Sequence, residues 1–239
     1  MKNLVCPLVI LFAATHSLVG QVAGDPVRIE VYITPYYNSK GPMIEVGGWS
    51  KGLSVRSETE LVATIVKMKQ SWAALRFPEM YVAAIRLYDL GFRNEATYWF
   101  YSAQYRGRLF ALLVDQARMG NLGAPGFELL QAANAFQQLV GPYINGYAFG
   151  NIDRLIEIVA RVQQENKPVP DLEKQYSAVA FKPRSEWEAG NSGLNDGLTQ
   201  FLTMLKEQKA SLKKQRIENG TEGKFSKLTS KELPRESTR

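Results

Sequence analysis

The sequence predicts a mainly α-helical protein, an irregular helical domain that begins with a small N-terminal β-hairpin. Apolar residues recur at spacings of three and four through most of the chain from Leu61 to Leu205, which is the period of a helix buried on one face. Helix-capping and helix-breaking residues separate these stretches. A short stretch near the start alternates with a period of two instead, as a half-buried strand does.

The first 24 residues have the pattern of a secretory signal peptide. Lys2 supplies a short positive region, Leu4–Ala14 is apolar, and Val22-Ala23-Gly24 offers small residues for cleavage before Asp25. The apolar run is short for a membrane span, and an uncleaved anchor is the alternative. We therefore expect a periplasmic or secreted protein.

Cleavage there would remove two chemically special side chains. Cys6 is the only cysteine of the chain and His16 is the only histidine. The mature protein would then lack histidine-based triads, thiol nucleophiles, disulfides and zinc fingers. We accordingly predict no metal site and no cofactor, and expect packing alone to stabilise the fold.

The predicted β-hairpin comes next. In Val27–Thr34, apolar and polar residues alternate strictly, so one face of a strand would be buried. Pro35 and the stretch 38–42 interrupt it, and Met43–Val46 is predicted to return as a short second strand.

The first long helix is predicted after a capping box at Ser57-Glu-Thr-Glu60. Its buried stripe consists of Leu61, Ile65, Met68, Trp72 and Leu75. Phe77-Pro78 ends this helix and suits the start of the next one, where the missing proline N–H costs nothing.

Two further helices are predicted between Met80 and Leu113, joined at Gly91, a residue that tolerates the positive φ of a helix C-terminus. Asn94 is a candidate N-cap for the second of them, and Glu95 suits its first turn.

This pair of helices resembles a known family over about Met80–Arg106. The residues that carry the resemblance are Ala84, Leu87-Tyr88, Gly91, Glu95-Ala96, Phe100 and Ala103. Their spacing resembles one helical hairpin of the tetratricopeptide (TPR) type. The resemblance implies an interaction scaffold and brings no catalytic residue with it.

Further helices are predicted at Phe127–Val140, Ile152–Glu165 and around Leu194–Leu205, with a short helical turn at Asp171–Tyr176. Between the first two lies Gly141–Gly150, a stretch of glycine, proline and aromatic residues that predicts a loop. This loop would either pack on the body or line a pocket.

The end of the chain carries most of the charge. Ten Lys or Arg and five Glu lie between Lys206 and Arg239, so this segment holds +5 of the formal +6. We expect a single helical domain over 25–216, close to neutral, and a disordered basic tail over 217–239. The neutral body disfavours nucleic-acid binding. The tail would serve solubility or make weak contact with anionic surfaces.

Five tyrosines are the candidate partner-binding residues, because tyrosine buries a large area with few rotatable bonds. They are Tyr98, Tyr101, Tyr105, Tyr143 and Tyr147. The alternative is that the aromatic residues of this region are core.

The sequence indicates a class of function and no specific activity. The leading hypothesis is an exported, non-enzymatic protein-binding module or scaffold of the cell envelope. One alternative is an immunity or inhibitor-type protein that neutralises a toxin or hydrolase. Another is a cell-wall hydrolase that uses two carboxylates. Its candidate residues are Glu79, Glu95, Asp115, Glu128, Asp153, Glu186 and Glu188. None of them lies in a catalytic motif, so we assign no catalytic residue.

Overall fold

The structure is a computed structural model that describes residues 25–29, 37–38, 41–42 and 46–234. It is mainly helical, as the sequence predicts. The helices of the described residues are α1 (Ser50–Leu53), α2 (Glu58–Gln70), α3 (Phe77–Asp89), α4 (Arg93–Leu113), α5 (Pro125–Ala148), α6 (Ile152–Glu165), α7 (Leu172–Gln175), α8 (Trp187–Glu207), α9 (Lys209–Glu218) and α10 (Thr221–Phe225). Short 3₁₀ turns lie at Gly47–Trp49, Trp72–Ala74 and Arg184–Glu186.

The predicted N-terminal β-hairpin is not supported. Val27 and Arg28 lie in a turn rather than a strand, because the Asp25 side chain accepts a 2.9 Å hydrogen bond from the Val27 N–H. Residues 30–36 and 43–45, which include most of both predicted strands, lie outside the described residues. The β-structure that is described consists of β1 (Tyr37–Asn38) and β2 (Gly41–Pro42), two residues each, paired antiparallel.

Helices α3 and α4 form a hairpin whose turn is built by glycine. Gly91 has φ of 89°, and its N–H donates to the Tyr88 carbonyl at 3.0 Å. The Phe92 N–H donates to the Leu87 carbonyl at 2.9 Å. These two bonds are the Schellman arrangement that satisfies the last carbonyls of a helix.

Helix α4 is the centre of the molecule. It packs against α3, α5, α6 and α8, and 16 of its 21 residues are buried. A helix that is covered on most of its sides has no clean amphipathic stripe, so its sequence mixes aromatic, small and polar residues.

Aromatic contacts connect α4 to its neighbours and also connect α3 to α5. The ring centre of Phe110 lies 5.5 Å from that of Phe77 of α3 and 4.9 Å from that of Tyr176, and both contacts are edge to face. Tyr81 of α3 stacks on Phe136 of α5 at 5.0 Å. Such offset and edge contacts add to the large apolar area that these rings bury.

The region predicted as a loop at Gly141–Gly150 is helical instead. Helix α5 continues through Pro142 to Ala148, and Val140 and Ile144 are buried on its inner face. Proline removes one backbone hydrogen bond from a helix interior. Burial of the neighbouring apolar residues compensates for this loss. The prediction of a loop was wrong because local composition carries no information about this packing.

The predicted disordered tail is also wrong for residues 217–234. Arg216 is buried and donates from Nη1 to the Gly146 carbonyl and from Nε to Glu222. This contact directs α10 onto α5, where the ring of Phe225 is buried. A Cβ at position 146 would lie 2.3 Å from that ring, so glycine is what allows the approach. Residues 235–239 lie outside the described part.

This docking gives a testable prediction. Gly146→Ala should destabilise the protein by about 1–3 kcal/mol, because overpacking against Phe225 outweighs the gain in helix propensity. Gly223→Ala is the matched control, since a Cβ there meets nothing within 4 Å. Urea unfolding of the two variants measures both effects. If Gly146→Ala is as stable as the native protein, Phe225 does not pack on α5.

Candidate functional site

Four of the five candidate tyrosines lie in the core. Tyr98, Tyr101, Tyr105 and Tyr143 are buried, and Tyr147 is half-buried. In this conformation the first four cannot contact a partner. The structure therefore supports the core interpretation of these residues over the binding-anchor hypothesis.

Their hydroxyl groups tie α4 to its neighbours. The Tyr105 hydroxyl donates to Asn191 Oδ1 of α8 at 2.7 Å and accepts from Asn195 Nδ2 at 2.6 Å. The Tyr101 hydroxyl donates to Asn145 of α5 at 3.0 Å. The Tyr98 hydroxyl donates to Glu165 of α6.

Burial raises the pKa of Tyr98, Tyr101 and Tyr105 above the usual value, so each stays a neutral donor at physiological pH. Buried tyrosines need such partners, and here the partners are structural.

One candidate surface is an apolar groove between α4 and α5, with a cavity of about 290 Å³. We call it the α4–α5 groove and define it by Gly107, Ala111 and Leu112 of α4 and Leu130 and Ala133 of α5. A Cβ at Gly107 would lie 3.7 Å from the Ala133 Cβ, so the two helices approach closely here. These small residues leave a depression beside Leu112, which is 40% exposed.

The α4–α5 groove can accept an apolar side chain from another molecule. Apolar concave surfaces with a few polar neighbours are the usual form of a binding site. Polar neighbours are present in Gln104, Arg108, Asn134 and Gln137, which line the same cavity. Sequence reasoning missed this groove, because Leu112 and Leu130 look like ordinary members of buried stripes.

A second, polar groove lies between the first turns of α4 and α6. It comprises two cavities of about 430 and 280 Å³ that share Asn94, Arg154 and Ile158. Tyr147 lines the larger cavity and Tyr98 the smaller. The structure thus brings these two candidate tyrosines to one groove, although Tyr98 is almost fully covered.

Charges at the smaller cavity are compensated. Glu95 pairs with Lys69 at 2.8 Å and with Arg161 at 3.6 Å, and it accepts from the Trp99 indole N–H at 3.0 Å. Arg161 lies over the Tyr98 ring at 3.7 Å and also pairs with Glu165. These groups hold the start of α4 against α2 and α6.

The candidate catalytic carboxylates are dispersed. Among the seven, Glu95 lines one of the cavities described above, and the other six line none of them. Arg76 pairs with Glu79, Arg118 with Asp115 and Lys209 with Asp153. Glu128, Glu186 and Glu188 are exposed. None of the three cavities described above has two of the seven carboxylates on its lining, which a two-carboxylate mechanism requires.

The described residues contain neither a metal-ligand cluster nor a membrane-spanning helix. No group of three or more His, Cys, Asp or Glu there is arranged to hold a metal ion. None of the helices described is both long and apolar enough to cross a membrane.

A known protein is similar to part of this chain. Over 146 residues the chain is 27% identical to an "Uncharacterized protein" of Haemophilus influenzae. The match covers 56% of this chain and 52% of the relative, so the chain spans about half the length of the protein it matches. No family model matches the chain, and no solved structure matches it.

The core role of the tyrosines is testable by removing single hydroxyl groups. Tyr105→Phe should lower the free energy of unfolding by about 1–3 kcal/mol, because Asn191 and Asn195 would lose a buried hydrogen-bond partner. Tyr147→Phe should cost less than about 1 kcal/mol, since its hydroxyl donates to Asn94 at a half-buried position. Thermal unfolding compares the two. If both variants lose the same small amount of stability, the Tyr105 hydroxyl is not buried against Asn191 and Asn195.

Proposed function

We propose that this chain is an exported, non-enzymatic protein that binds a protein partner in the cell envelope. The observation that carries the proposal is the α4–α5 groove, an apolar depression beside an exposed leucine. A partner would insert one or more apolar side chains there.

The rigidity of α4 supports this proposal. Because α4 is packed against four other helices, the groove is formed before a partner arrives, and little conformational entropy is lost on binding. The resemblance of α3 and α4 to a TPR-type hairpin agrees with a scaffold role. The dispersed carboxylates disfavour the hydrolase alternative.

The immunity or inhibitor alternative uses the same groove with a different partner. Capture of a toxin or hydrolase at the groove would indicate the immunity or inhibitor function. Capture of a structural envelope protein would indicate the scaffold function.

The groove is testable with one charged substitution. Leu112→Asp should weaken partner binding by about tenfold or more, because it introduces a charge into an apolar contact. The matched control is Ile217→Asp in α9, since Ile217 is an exposed apolar residue outside the groove, 59% exposed. The partner would be captured from an envelope fraction, identified by mass spectrometry, purified, and titrated against each variant. Equal affinity of both variants would contradict the proposed site.

Export is tested independently. Intact-mass measurement of the protein from its native compartment should give a chain that begins at Asp25, because the small residues before it fit signal-peptidase cleavage. Recovery of the full 239 residues from the cytoplasm would contradict export.

A further inference from the structure

The last described residues lie across the turn of the α3–α4 hairpin. We call residues 226–234 the C-terminal segment. From Leu228 to Pro234 it forms neither helix nor strand. It nevertheless makes a continuous set of contacts with the body, reaching from α4 to the start of α2.

Backbone groups provide several of these contacts. Arg93 Nη1 donates to the Thr229 carbonyl at 2.6 Å, and the Lys231 N–H donates to the Gly91 carbonyl at 2.8 Å. Both bonds use main-chain atoms of the C-terminal segment, so many peptide sequences could form them. This is a common way of recognising an extended peptide.

Side chains add selectivity at four positions. Ser230 Oγ accepts from the Asn94 N–H at 2.9 Å, and it supplies a hydrogen-bond acceptor that the N-cap residue of α4, Phe92, lacks. Lys231 Nζ pairs with Glu58 at 2.7 Å and lies 5.4 Å from the centre of the Phe92 ring. Leu228 and Leu233 are partly buried against the core.

Two of the contacts beneath this segment are weak or incomplete. The Lys231–Glu58 pair is exposed on both sides, and such pairs stabilise by at most about 1 kcal/mol. Arg93 Nε is buried and has no hydrogen-bond partner among the described residues. Thr229, Lys231 and Glu232 are exposed. The segment thus provides a hydrogen-bond acceptor for only part of the Arg93 guanidinium that it covers.

We propose that this surface, formed by Glu58, Gly91, Arg93 and Asn94, is a binding site for an extended basic peptide of a partner protein. The C-terminal segment is its built-in competitor. The contacts define the chemistry of the peptide: a hydroxyl residue followed by lysine, with an apolar residue two positions on either side of that pair. This site lies outside the α4–α5 groove and does not rest on the function proposed for that groove.

The test uses the full chain with its own segment weakened. The released variant carries Lys231→Glu and Leu233→Asp, and its probe is a fluorescent peptide with the native sequence of residues 226–234. Fluorescence anisotropy should show that this peptide binds the released variant at least about tenfold more tightly than the native chain, because the competitor has lost its charge pair and an apolar contact. Near-UV circular dichroism checks that the variant is folded. If the double variant unfolds, the single substitution Lys231→Glu weakens the segment's contacts less and takes its place.

Charge reversal on the body makes the test specific. The charge-reversal experiment uses Lys231→Ala with Leu233→Asp as the release, because a glutamate at position 231 would pair with the lysine introduced at position 58. In that background Glu58→Lys should weaken binding of the native peptide by about fivefold or more, and a K231E version of the peptide should restore it. Glu60→Lys is the matched control, because Glu60 is exposed on the same helix and does not contact the segment. Leu112→Asp should leave peptide binding unchanged, which separates this site from the α4–α5 groove.

Three results would overturn the proposal. The first is a folded released variant that binds no peptide, and the second is equal binding by the Glu58→Lys and Glu60→Lys variants. The third is a dimer of the native chain that dissociates in the released variant. That last result would mean that a second copy, rather than the same chain, supplies the segment.

Discussion

The structure depends on one constraint: α4 packs against four other helices and buries 16 of its 21 residues, so its buried polar groups need hydrogen-bond partners inside the protein, and most of them have one. Arg106 shows this most clearly. Its buried guanidinium donates to the Trp72 and Leu75 carbonyls at 2.9 and 2.7 Å and to Asn166 Oδ1 at 3.1 Å. Burial lowers the pKa of Arg106 to about 10, so the group remains charged at neutral pH. This one side chain holds α4 to the linker before α3 and to the end of α6.

The same constraint explains where binding can occur. Aromatic residues that would make good anchors on a surface are used to fill the space around α4, and their hydroxyl groups are used by neighbouring helices. What remains available is the surface at the margins of α4. On one side lies the α4–α5 groove with Leu112, and at the start of α4 lies the surface that the C-terminal segment covers. Both surfaces are formed by a helix that has little freedom to move.

Local signals in the sequence predicted the local structure well. Helix α6 has the predicted bounds, and Ser57 caps α2 as its position suggests. The N-cap of α4 is Phe92 rather than the predicted Asn94. Gly91 closes the hairpin turn as predicted. The errors came from contacts between distant residues. Nothing near Pro142 indicates that buried neighbours keep that region helical, and nothing near Phe225 indicates that Gly146 accommodates its ring. Whether a tyrosine on α4 is core or surface likewise depends on how many helices surround α4, which no pattern within α4 reports.

The central claim is that α4 is fixed by interior hydrogen bonds centred on Arg106. The free energy of unfolding of Arg106→Met tests it directly, because methionine keeps much of the apolar stem and removes the donors. We expect a loss of about 2–4 kcal/mol in urea unfolding, since three buried acceptors would lose their partner. Arg154→Met, which breaks a surface pair with Glu157, should lose less than about 1 kcal/mol. Similar, small losses for both variants would contradict this account of the fold.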